Sequence, residues 1–174
     1  MLKNQRKVMK LSAIIVLLFM SSLHSALAQE TYFDKVNEFI KKTISIPETT
    51  NLIIEKFGQP DSLISQPITN KYDSTSIDTI YRFYYKGFEF ETYCVKKTEK
   101  CLSTIFILHS NKFILPFNIE LGMTKTDIKN IFGNPVHENN EALIYNDDAE
   151  LTSHLQLFFS DNNKLTKIVW FQEE

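Results

Sequence analysis

One motif of 17 residues occurs twice in this chain, and the repetition constrains the fold more than any other feature. The first copy, ISIPETTNLIIEKFGQP, covers residues 44–60, and the second, IELGMTKTDIKNIFGNP, covers residues 119–135. At an offset of 75 residues, six positions are identical: Ile44/Ile119, Thr49/Thr124, Ile53/Ile128, Phe57/Phe132, Gly58/Gly133 and Pro60/Pro135. These residue types start a helix, form its apolar stripe and end it. The sequence therefore predicts two similar helical units.

The two predicted helices differ in how they begin. In the second copy, Thr124 is a good N-cap and Asp127 completes an acidic variant of the capping box. In the first copy, Pro47 suits the first turn and Glu48 adds a favourable negative charge there. Apolar residues at helical spacing predict a further amphipathic helix over residues 30–43.

After each helix the apolar residues change to a period of two, which predicts strands. The polar stretch at residues 65–78 favours a surface loop within the first copy. CLSTIFI and KLTKIVW superpose with Leu102 on Leu165 and Ile105 on Ile168. The predicted fold is α+β, with two tandem units of a helix followed by an antiparallel meander and the helices packed on one sheet face. The predicted strands are residues 79–85, 87–95, 101–108, 142–146, 153–160 and 165–171.

Hairpin register assigns each side chain to a face. If Cys94 lies opposite Cys101, then Phe90 lies opposite Ile105 and both face the helices. A turn at Asn162-Asn163 places Leu157 opposite Ile168, and Leu155 opposite Trp170, on the same side. The helix-free face would then carry Glu89, Glu91, Tyr93, Leu102, Thr104 and Phe106 from the first hairpin, and His154, Gln156, Phe158, Lys167, Val169 and Phe171 from the second.

The first 28 residues have the layout of a secretory signal peptide: a basic leader, a short apolar run and the tripeptide Ala26-Leu27-Ala28. The alternative is an uncleaved membrane anchor. The expected domains are the signal peptide at 1–28, a first repeat unit at 29–110 and a second at 111–174. The leader holds four of the 19 Lys and Arg residues and none of the 21 Asp and Glu residues. The mature chain would carry a formal charge of −6, which argues against nucleic acid as a partner.

The two cysteines, Cys94 and Cys101, both lie in the predicted exported part. An even cysteine count in an oxidising compartment favours one disulfide, with two reduced thiols as the alternative. The sequence thus predicts a periplasmic or secreted protein with no membrane span after signal cleavage.

The stretch GMTKTDIKNIFGNP, with a meander ending in KLTKIVWF, resembles the signature of the SmpA/OmlA (BamE-like) superfamily of envelope lipoproteins. Two such units in tandem resemble the β-lactamase inhibitory protein family. That resemblance implies helices packed on an antiparallel sheet, with the open sheet surface gripping an enzyme. The chain departs from the lipoproteins because it has no cysteine near the cleavage site, and the first unit has Pro47 and Glu48 in place of Gly and Met.

Catalytic and metal-binding patterns are not evident. The mature histidines, His109, His137 and His154, lie on separate predicted elements without metal-ligand spacing. The acidic run around Asp147 and Asp148 lacks the spaced oxygen ligands of a calcium loop. We therefore expect no enzyme activity, cofactor or metal.

The function that the sequence favours is binding of another protein, because IYRFYYKGFEFETY at residues 80–93 is rich in aromatic residues and period two places alternate members on the open face. An inhibitor or immunity-type protein is the first expectation, an accessory protein of outer-membrane assembly is the alternative, and an uncharacterised enzyme is third. The residues at 65–78 are an alternative binding surface. The expected partner-binding residues are Tyr93, Glu91, Phe106, His154, Gln156, Phe158 and Phe171.

Overall fold

The structure is a computed structural model that describes residues 34–43, 49–146 and 153–172. The predicted signal peptide at 1–28 and its cleavage site lie outside the described residues. So do the acidic residues Asp147 and Asp148.

Eight strands form one antiparallel sheet, with helices packed against it. The strand order is β1-β2-β3-β4-β8-β7-β6-β5, so two four-stranded meanders meet where β4 pairs with β8. The predicted α+β class is confirmed, and the sheet is continuous rather than divided. The helices are α1 (34–43), α2 (Thr50–Phe57) and α3 (Lys125–Phe132), with a 3-10 turn at Pro116–Asn118. The strands are β1 (Ser62–Thr69), β2 (Ile77–Tyr85), β3 (Phe88–Cys94), β4 (Cys101–Leu108), β5 (His137–Glu138), β6 (Ala142–Asn146), β7 (Ser153–Phe159) and β8 (Leu165–Gln172).

The six predicted strands are confirmed to within about two residues at each end, but β1 and β5 were not predicted. The prediction of a surface loop at residues 65–78 is wrong, because half of it lies in strands β1 and β2, and residues 70–76 form the turn between them. β1 lies at the edge of the sheet and is almost entirely exposed. An edge strand tolerates Pro67 and polar residues, so its composition resembles that of a loop.

The two short helices start and end alike. Thr124 caps α3 in a full capping box with Asp127, as predicted. Thr49 caps α2, where its hydroxyl accepts a hydrogen bond from the Leu52 amide at 3.4 Å. The helix α2 therefore begins at Thr50, later than expected, and its first turn has no acidic residue. Pro47 and Glu48 lie outside the described residues. After each helix the backbone turns at a glycine with positive φ, 82° at Gly58 and 74° at Gly133.

A tyrosine from the sheet holds each of these glycines. Tyr85 on β2 donates its hydroxyl to the Gly58 carbonyl at 3.0 Å, and Tyr145 on β6 donates to the Gly133 carbonyl at 3.0 Å. Burial raises the pKa of both phenols. The last helical phenylalanine packs on the same tyrosine in both places, with ring centroids 6.2 Å apart for Phe57 and Tyr85 and 5.5 Å apart for Phe132 and Tyr145.

The core lies between the helices and one face of the sheet. Phe39, Ile53 and Ile128 from the three helices are fully buried there. From the strands, the same core takes Phe83, Phe90, Phe106, Leu108, Leu143, Leu155, Leu157, Ile168 and Trp170. Each strand contributes alternate residues, so its remaining residues point to the other face.

Both long hairpins contain a β-bulge at a threonine. In the β3–β4 hairpin, Thr92 pairs with Ser103 but Glu91 pairs with Ile105, which leaves Thr104 unpaired. In the β7–β8 hairpin, Phe159 pairs with Leu165 but Phe158 pairs with Lys167, which leaves Thr166 unpaired. An extra residue of this kind reverses which later side chains face the core.

The bulge at Thr104 changes which residues of β4 face the core, so the predicted faces of this strand are wrong beyond it. Phe106 lies in the core at 2% exposure, so its expected place on the helix-free face is wrong. Ile105 was expected to face the core and instead lies on the opposite side, beside Glu91. In the second hairpin the predicted pairs, Leu157 with Ile168 and Leu155 with Trp170, are confirmed. The predicted Cys94–Cys101 disulfide is also confirmed, and it joins β3 to β4 next to their connecting loop.

Candidate functional site

The candidate site is the face of the sheet opposite the core, called the open face below. The described helices all pack on the other side, so none covers it. Its middle strands carry aliphatic, aromatic and charged side chains, most of them half-buried. In sheet order, these are Ile80, Arg82 and Tyr84 on β2; Glu89, Glu91 and Tyr93 on β3; Leu102, Ile105 and Ile107 on β4; Lys167, Val169 and Phe171 on β8; His154, Gln156 and Phe158 on β7; and Ile144 and Asn146 on β6.

An ion pair lies on the first meander of this face. Arg82 on β2 donates from Nε to Glu91 Oε2 at 2.5 Å, and the hydroxyl of Thr104 donates to Glu91 Oε1 at 3.0 Å. The carboxylate of Glu91 raises the pKa of Arg82, so the guanidinium stays charged. A shallow cavity of about 180 Å³ adjoins the pair and is walled by Ile105 and Ile107.

The second meander carries a ring cluster. His154 Nδ1 lies 2.9 Å from Asn146 Oδ1, and its ring lies 5.0 Å from that of Phe171. The ammonium of Lys167 lies 4.4 Å from the ring centroid of Phe158, a distance that suits a cation–π contact. These contacts hold polar and aromatic groups side by side at the surface, which is the composition favoured at protein interfaces.

A larger groove of about 400 Å³ lies where the open face meets the β1–β2 turn, and it is called the hairpin groove below. Its apolar lining comes from Ile68, Tyr93, Val95 and Leu102. The turn adds the side of Tyr72, which is 91% exposed.

A buried carboxylate holds two of the residues that line this groove, Asn70 and Tyr93. Asp78 is fully buried and accepts hydrogen bonds from the Tyr93 hydroxyl, from Asn70 Nδ2 at 2.6 Å and from the Lys96 amide at 3.0 Å. The bond from Tyr93, with that from Lys96, lowers the pKa of Asp78 because both stabilise its charged form. The carboxylate thus ties the β1–β2 turn to the β3–β4 loop.

The structure brings together six of the seven predicted partner-binding residues. Glu91 and Tyr93 lie on the first meander of the open face, and His154, Gln156, Phe158 and Phe171 lie on the second. Phe106 lies in the core and cannot serve as a surface anchor. The aromatic stretch at residues 80–93 is also less exposed than expected, since only Tyr84 and Tyr93 of its seven aromatics face outward.

Three features of the open face were not predicted. Asp78 had no role in the predicted face because it was assigned to a loop, and only the alternation through β2 places it beside Tyr93. Ile105 and Ile107 replace Phe106 on the surface because of the bulge at Thr104. The pairing of Arg82 with Glu91 follows from the β2–β3 register, which could have been derived from the turn at Gly87.

Candidate metal ligands are the next feature, and they do not cluster in the part of the chain that the structure describes. No group of three or more His, Cys, Asp or Glu side chains within those residues is placed to hold a metal ion. His109 follows β4, His137 is in β5 and His154 is in β7, so the three predicted to be separate are separate. Among the same residues, no helix has the length and apolar character needed to cross a membrane.

Comparison of the chain with protein-family models, with curated proteins and with solved structures gave no match.

Proposed function

We propose that the chain is an exported, non-enzymatic protein that binds another protein through its open face. The observation that carries this proposal is the one-sided packing of the sheet. Each described α-helix buries apolar residues against one face, and none of them lies over the other face.

The composition of the open face supports this reading. Isoleucine, valine and phenylalanine side chains lie between the Arg82–Glu91 pair and the His154–Asn146 pair. A face that only met water would be expected to carry mainly polar residues, because strands with one solvated face alternate between apolar inward and polar outward side chains. Half-buried apolar groups with paired polar groups between them are instead suited to exclude water from an interface and to fix its register.

We further propose that the two meanders are copies of one ancestral unit. The strand order is symmetric about the β4–β8 pair, and the equivalent helices share a threonine cap, a glycine end and a tyrosine bound to that glycine. The β-bulges support the same equivalence between the two meanders, since Thr104 and Thr166 occupy matching positions in their hairpins. When the two bulges are superposed, Phe106 matches Ile168, whereas the sequence comparison had matched Ile105 with Ile168.

Export is part of the proposal. The basic, apolar and small-residue layout of residues 1–28 supports it, and so does the disulfide between Cys94 and Cys101. Among exported proteins, an inhibitor or immunity-type protein fits best because its work is binding alone. An accessory protein for outer-membrane assembly would use the same face on a membrane-bound partner.

Site-specific photo-crosslinking tests the binding face. A photoreactive phenylalanine analogue replaces Gln156 in the middle of the open face, and a matched variant carries it at Leu52, which is 45% exposed on the helix side. The exported protein is irradiated in its own cells, and adducts are identified by mass spectrometry. We expect one protein to be crosslinked from position 156 and not from position 52.

The identity of the adduct then separates the two functions. A soluble hydrolase or toxin whose activity falls when the purified chain is added supports the inhibitor reading. A membrane-embedded assembly protein supports the accessory reading instead. Crosslinks that form only from position 52 would contradict the open face as the binding surface.

A further inference from the structure

The hairpin groove differs from the cavity beside Arg82 and Glu91 in volume and in the charge of the loops around it. Its volume of about 400 Å³ is more than twice that of the cavity beside Arg82 and Glu91. It also falls within the range of roughly 300–1,000 Å³ that is usual for ligand pockets. The apolar wall at Leu102 is 62% exposed, although most residues of the face are half-buried.

The groove is held in shape before any partner arrives. Asp78 binds Tyr93 on β3, Asn70 in the β1–β2 turn and the Lys96 amide in the β3–β4 loop, so one carboxylate joins three segments. The turn is further closed by Asn70 Oδ1, which accepts hydrogen bonds from the amides of Tyr72 and Asp73 at 2.8 and 2.9 Å. A preformed groove loses little conformational entropy on binding.

The two loops that bound the groove are basic in an otherwise acidic chain. The turn at 70–76 and the loop at 95–100 contain Lys71, Lys96, Lys97 and Lys100 against Asp73 and Glu99. With the Asp78 carboxylate, to which both loops donate hydrogen bonds, this end has four lysines and three carboxylates. The whole sequence has 21 acidic and 19 basic residues, so this end departs from the average in sign. Lys71 lines the groove itself, while Lys96 and Glu99 line a separate pocket beside the start of α2.

We propose that the hairpin groove binds an acidic peptide segment of the partner, with one large aromatic or aliphatic side chain seated between Tyr93 and Leu102. This inference rests on the proposed function and names the part of the open face that holds the partner. The apolar lining takes the anchor side chain, since burying a large apolar group in a pocket is the main source of energy at interface hot spots. The lysine-bearing loops attract the acidic residues on either side of it.

This assignment unites two surfaces that the sequence kept apart. Tyr93 was expected on the open face, and residues 65–78 were expected to be an alternative binding loop. The structure joins them through Asp78, Asn70 and Tyr93, so an anchor in the groove contacts both at once.

Panning a display library tests the proposal without knowledge of the partner. A library of random 12-residue peptides is selected against the oxidised, exported chain, and the enriched peptides are sequenced. We expect enrichment of peptides with net negative charge around one aromatic or large aliphatic residue. Their binding should weaken at least tenfold between low and high salt, because exposed charge pairs are screened. Enrichment of neutral or basic peptides, or no enrichment, would overturn the proposal.

Two pairs of variants locate the binding. Leu102→Arg blocks the groove, and Ile114→Arg makes the same change at a side chain that is 94% exposed elsewhere. Lys71→Glu reverses a groove charge, and Lys112→Glu reverses an exposed charge outside it. Binding of an enriched peptide should fall at least tenfold in Leu102→Arg and severalfold in Lys71→Glu, and stay unchanged in both controls. Equal losses in a variant and its control would overturn the assignment. Circular dichroism and a melting curve show that each variant folds.

The crosslinking experiment keeps this inference distinct from the proposed function. If a partner crosslinks from position 156 but still binds Leu102→Arg with full affinity, the open face stands and the groove proposal fails. If a selected acidic peptide binds the groove but no partner crosslinks from the open face, the groove stands and the proposed function fails.

Discussion

The hairpins β3–β4 and β7–β8 contain the same bulge, yet the sequence predicted the register of the second correctly and that of the first only in part. In the first, the register was counted from the Cys94–Cys101 pair, which lies on the loop side of Thr104. In the second, it was counted from a turn at Asn162-Asn163, and this count matches the pairs beyond Thr166. An error of one residue in a strand exchanges its two faces, so the choice of reference pair decided which residues were assigned to the open face.

The largest effect that tests this comparison is in the core of β4. Phe106→Ala should lower the free energy of unfolding by about 3–5 kcal/mol, because it leaves a cavity among fully buried side chains. Ile105→Ala, next to it on the open face, should cost about 1 kcal/mol. Urea denaturation measures both. In the second hairpin, Ile168→Ala and Val169→Ala should show the same order. A larger loss for Ile105→Ala would place the bulge elsewhere.

The disulfide is a difference between the hairpins, since only the first contains cysteine. Replacing Cys94 and Cys101 together by serine should cost about 2–3 kcal/mol, as expected for a short closed loop. Hydrogen exchange should quicken in β3 and β4 and stay unchanged in β7 and β8. Free thiols in the exported protein under non-reducing conditions, or equal acceleration in both hairpins, would contradict this.

The hydrogen bonds from Tyr85 and Tyr145 to the helix ends should contribute differently to the free energy of unfolding. Tyr145 is 3% exposed, and Tyr145→Phe leaves the Gly133 carbonyl without its donor in a buried place. That change should cost about 1–2 kcal/mol, and Tyr85→Phe about 0.5–1 kcal/mol, because water can reach the Gly58 carbonyl. Thermal melts of the two variants provide the measurement. Equal losses would show that the two contacts are buried to the same degree.

The smallest expected effect is on acid stability, and of the two short helices it concerns only α3. The hydroxyl and amide of Thr124 lower the pKa of Asp127 in the folded chain, whereas α2 has no acidic residue in its first turn. A lowered carboxyl pKa adds stability above the unfolded value of about 3.9, and this stability is lost as the pH falls through the folded value. Asp127→Asn should therefore reduce the loss of melting temperature between about pH 5 and pH 3. An unchanged loss would contradict the capping role.

Much of the fold could be predicted from the residues, and the reason differs among the elements. The helices were found because Thr124, Gly58 and Gly133 act locally, within one turn of the backbone. β1 was missed because it is an exposed edge strand that contains Pro67 and lacks alternating apolar residues, and it pairs with β2 alone. Six of the seven predicted site residues reached the open face, and the exception, Phe106, follows the bulge at Thr104.

By itself, the sequence determined the two helical units with their caps and ends, most of the strands, and the disulfide. These depend on the chemistry of neighbouring residues and on periodicity, which are local. Only the tertiary structure decided that the two meanders join through β4 and β8, that the bulge at Thr104 changes the faces of β4, and that Asp78 on β2 meets Tyr93 on β3. Those outcomes depend on pairing between residues far apart in the chain, and the energy of such pairing is not encoded at any single position.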